Sequence, residues 1–331
     1  MKKNSKITGD GFSFGLKSGA FLLVFIYAIV LSSGLKASEK VSDYKSVFRP
    51  FYDDDGKLEI AIRDFNLGSV PESLTVDPYT FKTGIIKRGK RAVKSAPDKD
   101  WKDTPYVKAL YRYAAGDRLQ NGGIHEGEGS YDGVFITVDM CPSKRPFDKD
   151  LFVATAGLTG KSPVDVAIAV SGLWMERHRD EFNWIRGLER SNRLNITWIN
   201  HTYSHPYESS RPLRENFLLT PGVDMEREIL RNEILMIGNG VTPTPFFRFP
   251  GLVSDKDLMS RLKALSLIPV GANAWLAKGE TPVSGSIILV HGNGNDPVGL
   301  KDLLDFYNKR SDDFRDGSLK ALPLAAAFRS R

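Results

Sequence analysis

Two histidines four residues apart, His201 and His205, are the side chains in this sequence best suited to chemistry. Neutral imidazole nitrogens at this spacing can bind one metal ion together. Because Pro206 disfavours helical geometry in the residue before it, we expect the pair on a bend that follows a strand. The alternative is two surface or capping histidines without a ligand, and spacing alone does not exclude it.

Four other reactive or binding side chains follow short apolar segments. Asp139 offers a carboxylate, Arg248 a guanidinium fixed by the turn at Pro250, His291 a third imidazole and Trp275 an aromatic wall. Taken singly, each has an ordinary structural explanation, such as a capped strand or a buried histidine bonded to the backbone. Their order along the chain is therefore more informative than any one of them.

From residue 133 onward, apolar strand-like segments alternate with helical segments, which is typical of β/α units. The predicted strands are 133–138, 164–174, 196–200, 246–248 and 287–290, and the predicted helices are 180–191, 223–237, 256–265 and 301–309. The candidate residues stand at the carboxyl ends of apolar strands, where barrel enzymes build their active sites. The sequence therefore predicts an α/β fold.

The order of these residues resembles the polysaccharide deacetylase family (carbohydrate esterase family 4) over residues 133–310. The five motifs of that family are T-F-D-D-G-P, H-[ST]-x-x-H-P, R-x-P-x-G, a D-W segment and L-x-H. The second, third and fifth motifs are matched in this sequence. The residues at the matching positions are His201, His205, Pro206, Arg248, Pro250, Leu289 and His291. The resemblance implies a distorted (β/α) barrel with an N-terminal extension.

The resemblance also implies an activity: metal-dependent hydrolysis of N-acetyl (or O-acetyl) groups on a cell-envelope or extracellular polysaccharide, such as peptidoglycan or an N-acetylglucosamine polymer. The cofactor would be a divalent metal ion, with Zn²⁺ expected. By position, Asp139 would be the catalytic base, Arg248 its orienting partner and His291 the acid, with His201 and His205 as metal ligands and Trp275, Leu289 and Pro250 in the substrate pocket.

The first motif departs from the family pattern, because Met140 stands where the second, metal-binding aspartate is expected and Cys141 where glycine is expected. A thioether is a poor ligand for such a cation. Three replacements remain open: Asp139 itself, Asp148 or Asp150 folding back, or Cys141 as a thiolate. Loss of the metal and of turnover is a fourth outcome.

The fourth motif also departs, since Ala274 stands where an acid before tryptophan is expected. Two further functions therefore stay open beside the deacetylase. One is a catalytically inactive glycan-binding protein on the same barrel, and the other is an amidase that acts on a non-sugar C–N bond.

Charge and cysteine content narrow the class of protein. The chain has 331 residues with 46 Lys and Arg against 40 Asp and Glu, a formal charge of +6. Residues 1–37 contain five lysines and one aspartate and so carry +4 of it. The remaining +2 disfavours a nucleic-acid partner. Because Cys141 is the only cysteine, no intrachain disulfide can form.

Four segments are expected along the chain. Residues 1–37, with an apolar run at 20–31, predict a signal peptide or an uncleaved membrane anchor. We therefore expect a periplasmic or extracellular protein, whose only contact with the membrane would be this segment if it is not cleaved. Residues 38–132 form an extension of unknown role, 133–310 the deacetylase-like domain and 311–331 a C-terminal segment.

Overall fold

An antiparallel sheet is the first element in the computed structural model, which describes residues 40–89, 94–161 and 163–328. Its strands, in the spatial order β4-β3-β2-β1-β5, are β1 (Val41–Tyr52), β2 (Leu58–Leu67), β3 (Val70–Val76), β4 (Thr83–Lys87) and β5 (Lys94–Ser95). Leu67 pairs with Val70, so the β2–β3 turn has two residues, and Gly68 supplies the positive φ of 61° that it requires. Helices α1 (Asp98–Trp101) and α2 (Pro105–Tyr113) follow.

The second sheet is parallel, and helices alternate with its strands. Its elements are β6 (Gly133–Met140), α3 (Lys149–Gly157), β7 (Val164–Val170), α4 (Gly172–Arg177), α5 (Arg179–Arg190), β8 (Leu194–Asn200), α6 (Met225–Gly238), β9 (Phe246–Phe247), α7 (Lys256–Ala264), β10 (Ile268–Pro269), β11 (Ala274–Trp275), β12 (Ile287–His291), α8 (Pro297–Lys309), α9 (Ser311–Asp316) and β13 (Lys320–Ala321). The order is β10-β9-β8-β7-β6-β12-β11, with β13 also paired to β6. The predicted α/β fold with a curled, barrel-like parallel sheet is confirmed.

Strand β6 separates the two main apolar cores of this sheet. Val134, Ile136 and Val138 point to the core between the sheet and its helices. Phe135 lies in the other core, which also contains side chains of β2 and β3 such as Ile62 and Leu74. Because side chains alternate along a strand, the two faces of the curled sheet contribute to different cores. The helices cover the outer face, and the antiparallel sheet covers the inner face.

Outer strands β10 and β11 stand at opposite ends of the strand order, and residues 120–126 bridge the seam between them. Ile124 pairs with Val270 beyond β10, and the Gly271 amide donates to the Ile124 carbonyl. The Asn121 side chain exchanges two hydrogen bonds with the backbone of Ala272, at 2.6 and 2.8 Å. An irregular segment therefore completes the wall in place of a strand pair.

One predicted strand was too long. Strand β7 ends at Val170, and Trp174 lies on α4 rather than on the strand, with its side chain in the core between the sheet and its helices. The backbone leaves the sheet at Ser171 and Gly172, where any side chain on Gly172 would collide with the ring of Tyr203. An apolar run that continues into a buried helix hides this boundary, since periodicity alone does not separate the two.

The predicted targeting segment, residues 1–37 with the apolar run at 20–31, lies outside the described residues. Among the helices of the described part of the chain, none has the length and apolar character to cross a membrane.

Candidate active site

A cleft of about 530 Å³ opens at the carboxyl ends of the parallel strands. Six of the eight predicted site residues line it: Asp139, His201, His205, Trp275, Leu289 and His291. The other two, Arg248 and Pro250, are buried and do not line it, whereas the next residues, Gly251 and Leu252, do. Parallel strands end at one edge of the sheet, and this brings together residues far apart in sequence.

The end of β6 delivers two side chains to the cleft and one to the core. Asp139 and Cys141 line the cleft, and Met140 between them is fully buried among the apolar side chains under the helices. This follows from the alternation of side chains along a strand. Met140 therefore takes no part in the site, and Cys141 faces the two histidines.

His201 is held in one orientation by the backbone. Its Nδ1 lies 2.8 Å from the carbonyl oxygen of Arg248, so the Nδ1–H tautomer donates there and leaves Nε2 facing the cleft. This Nε2 is 3.4 Å from the sulfur of Cys141 and 3.9 Å from a carboxylate oxygen of Asp139. Burial lowers the pKa of His201, although Asp139 opposes this, so the neutral, metal-binding form is favoured.

The loop between the histidines has an unusual backbone. Thr202 and His205 adopt φ values of 67° and 47°, in the left-handed region that a β-branched threonine rarely enters. The side-chain oxygen of Asn200 accepts a hydrogen bond from the Thr202 amide, at 2.9 Å, and the Thr202 hydroxyl accepts one from the His205 amide, at 3.2 Å. As predicted, His205 lies on a bend after a strand, and the bend turns its ring towards His201, with the ring centroids 4.8 Å apart.

Cys141, His201 and His205 form a donor set of the kind that holds a metal ion, and sulfur with imidazole nitrogen suits zinc. The ligand atoms of Cys141, His201 and His205 lie within 4.8 Å of one another. Zn–S and Zn–N bonds of about 2.3 and 2.05 Å at a tetrahedral angle place sulfur and nitrogen about 3.5 Å apart, and the Cys141–His201 distance is 3.4 Å. Nε2 of His205 is buried without a hydrogen-bond partner, as expected for a ligand atom.

Other carboxylates considered as replacement ligands lie elsewhere. Asp148 accepts a hydrogen bond from the Gly294 amide, at 2.8 Å, and Asp150 is exposed in the first turn of α3. Neither lines the cleft. Burial alone would raise the pKa of the Cys141 thiol, but the neighbouring imidazoles of His205 and His291 outweigh it and lower that pKa to about 6. The thiolate is the form that binds metals.

Asp139 has a buried cation behind it. Arg248 is fully buried, donates to the Thr137 hydroxyl at 2.8 Å and places Nη1 3.6 Å from an Asp139 oxygen. That Asp139 oxygen is itself buried and lacks a hydrogen-bond partner. The Asp139 carboxylate is thus held beside the three candidate metal ligands, and its oxygen without a hydrogen-bond partner can accept a proton.

His291 has a carboxylate partner that the sequence did not predict. Its Nδ1 lies 3.3 Å from Asp296, which also caps helix α8 by accepting from the Gly299 amide at 2.9 Å. Burial alone would lower the pKa of His291, but Asp296, Cys141 and Asp139 outweigh it and raise that pKa well above its usual value. The signal was the helix start Asp296-Pro297, five residues after His291.

Aromatic side chains form the outer wall of the cleft. Trp275 stands at the end of β11, with the Lys278 ammonium 3.7 Å from its ring centroid. Tyr207, which is 63% exposed, stacks on Phe217 with centroids 5.1 Å apart. Both Tyr207 and Phe217 line the cleft and were not predicted, because a lone aromatic in a loop has no periodic signal.

Comparison with family models gives one match, in the N-terminal part of the chain. The model of the RP012 protein N-terminal domain matches residues 42–106, which contain most of the antiparallel sheet.

Comparison with solved structures finds similar chains among carbohydrate esterases. The Bc1960 peptidoglycan N-acetylglucosamine deacetylase is 17% identical, covers 67% of this chain and 96% of its own, and gives a TM-score of 0.47. A family 4 carbohydrate esterase from Bacillus anthracis is 18% identical over 66% of this chain and 89% of its own, with a TM-score of 0.45. BA3943, a family 4 pseudoenzyme from Bacillus anthracis, is 12% identical over 64% and 70%, with a TM-score of 0.42.

Proposed function

We propose that this protein is a zinc-dependent hydrolase that removes N-acetyl (or O-acetyl) groups from a cell-envelope or extracellular polysaccharide. One observation carries the proposal: Cys141, His201 and His205 converge in a cleft that also holds Asp139 and His291. Export of the protein, to the periplasm or beyond, belongs to the same proposal and rests on the sequence of residues 1–37.

The side chains of the cleft divide the chemistry among them. When bound, a zinc ion stabilises negative charge on an acyl oxygen and makes water a better nucleophile at neutral pH. Asp139 accepts the proton of the attacking water, and Arg248 behind it orients the carboxylate. His291, held by Asp296, donates a proton to the departing amine nitrogen.

The apolar and aromatic lining favours a sugar substrate. Trp275 and Leu289 lie beside the reacting groups, where they would enclose an acetyl methyl group. Tyr207 offers an exposed ring face at the rim, on which the apolar face of a sugar can stack. The relative named as a peptidoglycan N-acetylglucosamine deacetylase supports peptidoglycan or another N-acetylglucosamine polymer as the substrate.

Acetate release is the direct test. The purified protein, loaded with one equivalent of Zn²⁺, is incubated with N-acetylglucosamine oligomers, peptidoglycan fragments and an O-acetylated glycan, and free acetate is measured. We expect His201→Ala to abolish release and His125→Ala, a histidine outside the cleft, to leave it unchanged. Absence of bound metal together with absence of acetate from every glycan would refute the proposal.

A binding protein without turnover is the second candidate, and the altered first and fourth motifs favour it. Met140 and Ala274 replace two carboxylates of the family pattern, and both side chains are buried in the core. If the protein is such a binding protein, a chelator should leave its dissociation constant for the glycan unchanged. Isothermal titration of chitooligosaccharides with and without a chelator distinguishes it from the hydrolase, whose acetate release requires the metal.

A further inference from the structure

We infer that the N-terminal antiparallel sheet, β1 to β5, sets the geometry of the loop between His201 and His205 by acting through helix α6. Arg63 and Tyr44 of this sheet would then be positioning residues for the metal site, which gives a role to the extension before the parallel sheet. The catalytic meaning of this inference rests on the proposed function, whereas its structural content does not.

A fully buried ion pair joins the sheet to the helix. Arg63 on β2 donates from Nε and Nη2 to both carboxylate oxygens of Glu233 on α6, at 2.7 and 3.0 Å, and neither side chain has any exposed surface. Tyr44 on β1 donates to the same carboxylate at 3.0 Å. The remaining Arg63 nitrogen donates to the carbonyls of Ile62 and Leu265, at 2.8 Å each. Glu233 is thus fixed from two strands of the sheet.

Such a pair is poorly explained by stability. Taking two charges out of water costs several kcal/mol for each ion, and well-packed apolar side chains in their place are often as stable or more stable. Unlike apolar packing, a bidentate Arg–Glu contact defines the orientation of the two elements that carry the side chains. The contact therefore fixes the rotation and height of α6 relative to the sheet.

The same stretch of α6 holds the histidine loop. The Glu228 carbonyl accepts from the Tyr203 amide at 3.0 Å, and its carboxylate accepts from the Ser204 amide and hydroxyl at 2.7 and 2.8 Å. One turn further, Asn232 donates to the side chain of Asn200 at 2.9 Å.

A second backbone contact completes this attachment, since the Ile229 carbonyl accepts from Asn200 Nδ2 at 3.0 Å. Asn200 in turn accepts from the Thr202 amide. Residues 228–233 span about 7.5 Å of helix. The ion pair and the loop contacts are therefore made by the same short stretch of α6, and a displacement of this stretch moves both.

The loop needs this support because of its backbone. Thr202 and His205 are held at positive φ, which costs of order 1–3 kcal/mol for each residue and persists only where surrounding contacts enforce it. The enforcing contacts come from α6, from Asn200 and from the first turn of α4, where the amides of Gly172 and Leu173 donate to the carbonyls of Thr202 and Tyr203 at 3.1 and 2.8 Å. A shift of α6 would therefore be transmitted to the two imidazoles.

The test replaces the ion pair without leaving a buried charge. The double variant Arg63→Met with Glu233→Leu is compared with Arg49→Met, which breaks the Arg49–Asp64 ion pair of the same sheet without touching α6. Tyr44→Phe, which deletes a single hydrogen bond to Glu233, is measured in parallel as a milder variant. Hydrogen exchange of residues 200–207 and the Zn²⁺ dissociation constant are recorded for each full-length protein.

We expect both the hydrogen-exchange rate of residues 200–207 and the Zn²⁺ dissociation constant to rise about 10-fold in the double variant. In Tyr44→Phe both should rise about 3-fold, and in Arg49→Met both should equal the wild-type values. Exchange and affinity within about twofold of wild type in the double variant would overturn the inference. If the double variant does not fold, wild-type values in Tyr44→Phe would overturn it. A wild-type protein that binds no zinc would refute the proposed function, and hydrogen exchange alone would then decide the positioning role.

Discussion

Replacing Cys141 with alanine removes the sulfur from the three candidate zinc ligands and leaves both histidines in place. Nδ1 of His201 remains bonded to the Arg248 carbonyl, and the loop up to His205 is held by Asn200 and α6, so the imidazoles stay oriented. Asp148 does not replace the thiolate, since it lies outside the cleft and accepts a hydrogen bond from the Gly294 amide. The variant therefore isolates the contribution of one ligand.

The expected loss follows from the energy of zinc sites. Structural zinc binding is worth about 10–16 kcal/mol over four ligands, or about 2.5–4 kcal/mol for each ligand. At about 1.4 kcal/mol for each factor of ten, Cys141→Ala should weaken the Zn²⁺ dissociation constant by about 10²- to 10³-fold. Cys141→Asp supplies a carboxylate at the same position and should recover most of this affinity, because aspartate is also a zinc ligand.

Competition with a chromophoric chelator measures these dissociation constants at neutral pH. Substitution with Co²⁺ gives an independent signature, since a thiolate ligand produces a charge-transfer band that neither variant can show. If Cys141→Ala binds zinc as tightly as the wild type, and the wild-type cobalt complex lacks the thiolate band, the sulfur is not a ligand and the three-residue site is refuted.

Three further outcomes are expected. Asp296→Asn keeps the cap of α8 but removes the charge beside His291, so kcat for acetate release should fall by about 10- to 100-fold with little change in melting temperature; an unchanged kcat would contradict this role. Treatment with a chelator should abolish acetate release, lower the melting temperature by a few degrees and be reversed by Zn²⁺, because a metal bound only by the native state stabilises it; full activity in the apoprotein would exclude metal catalysis. Burial alone would raise the pKa of Asp64, but hydrogen bonds from Arg49 and Ser73 outweigh it and lower that pKa, so its contribution to stability is present above about pH 4 and is lost as the pH falls further. Denaturant unfolding at pH 7 and pH 3 should therefore show a smaller acid loss in Asp64→Asn than in the wild type, and equal losses would contradict the assignment.

Five strands of the parallel sheet (β6, β7, β8, β9 and β12) and the convergence of the three histidines on one cleft were predictable for a simple reason. Apolar runs of strand length are easily recognised, and parallel strands end at a common edge, so His201, His205 and His291 were expected at the same edge of the sheet. Alternation along β6 also places Cys141 and Asp139 on one side and Met140 on the other.

The rest depended on contacts that no local pattern records. The end of β7 is hidden because the apolar run continues through Trp174 into α4. The pairing of Arg63 with Glu233 joins residues 170 positions apart, and only the packing of the two sheets brings them together. Asp296 was recognisable as a helix cap, but its contact with His291 required the geometry of the turn between them.

The seam between β10 and β11 is held by a different kind of contact from the rest of the cleft wall. A strand ladder resists stretching over its whole length, whereas residues 120–126 hold the two edges through isolated bridges and a few side-chain bonds. Leu252 and Trp275, which both line the cleft, belong to the segments that flank this seam. Continuous ladders between β12, β6, β7 and β8 therefore set the spacing of Asp139, His201 and His291, whereas the seam depends on isolated contacts made by residues 120–126.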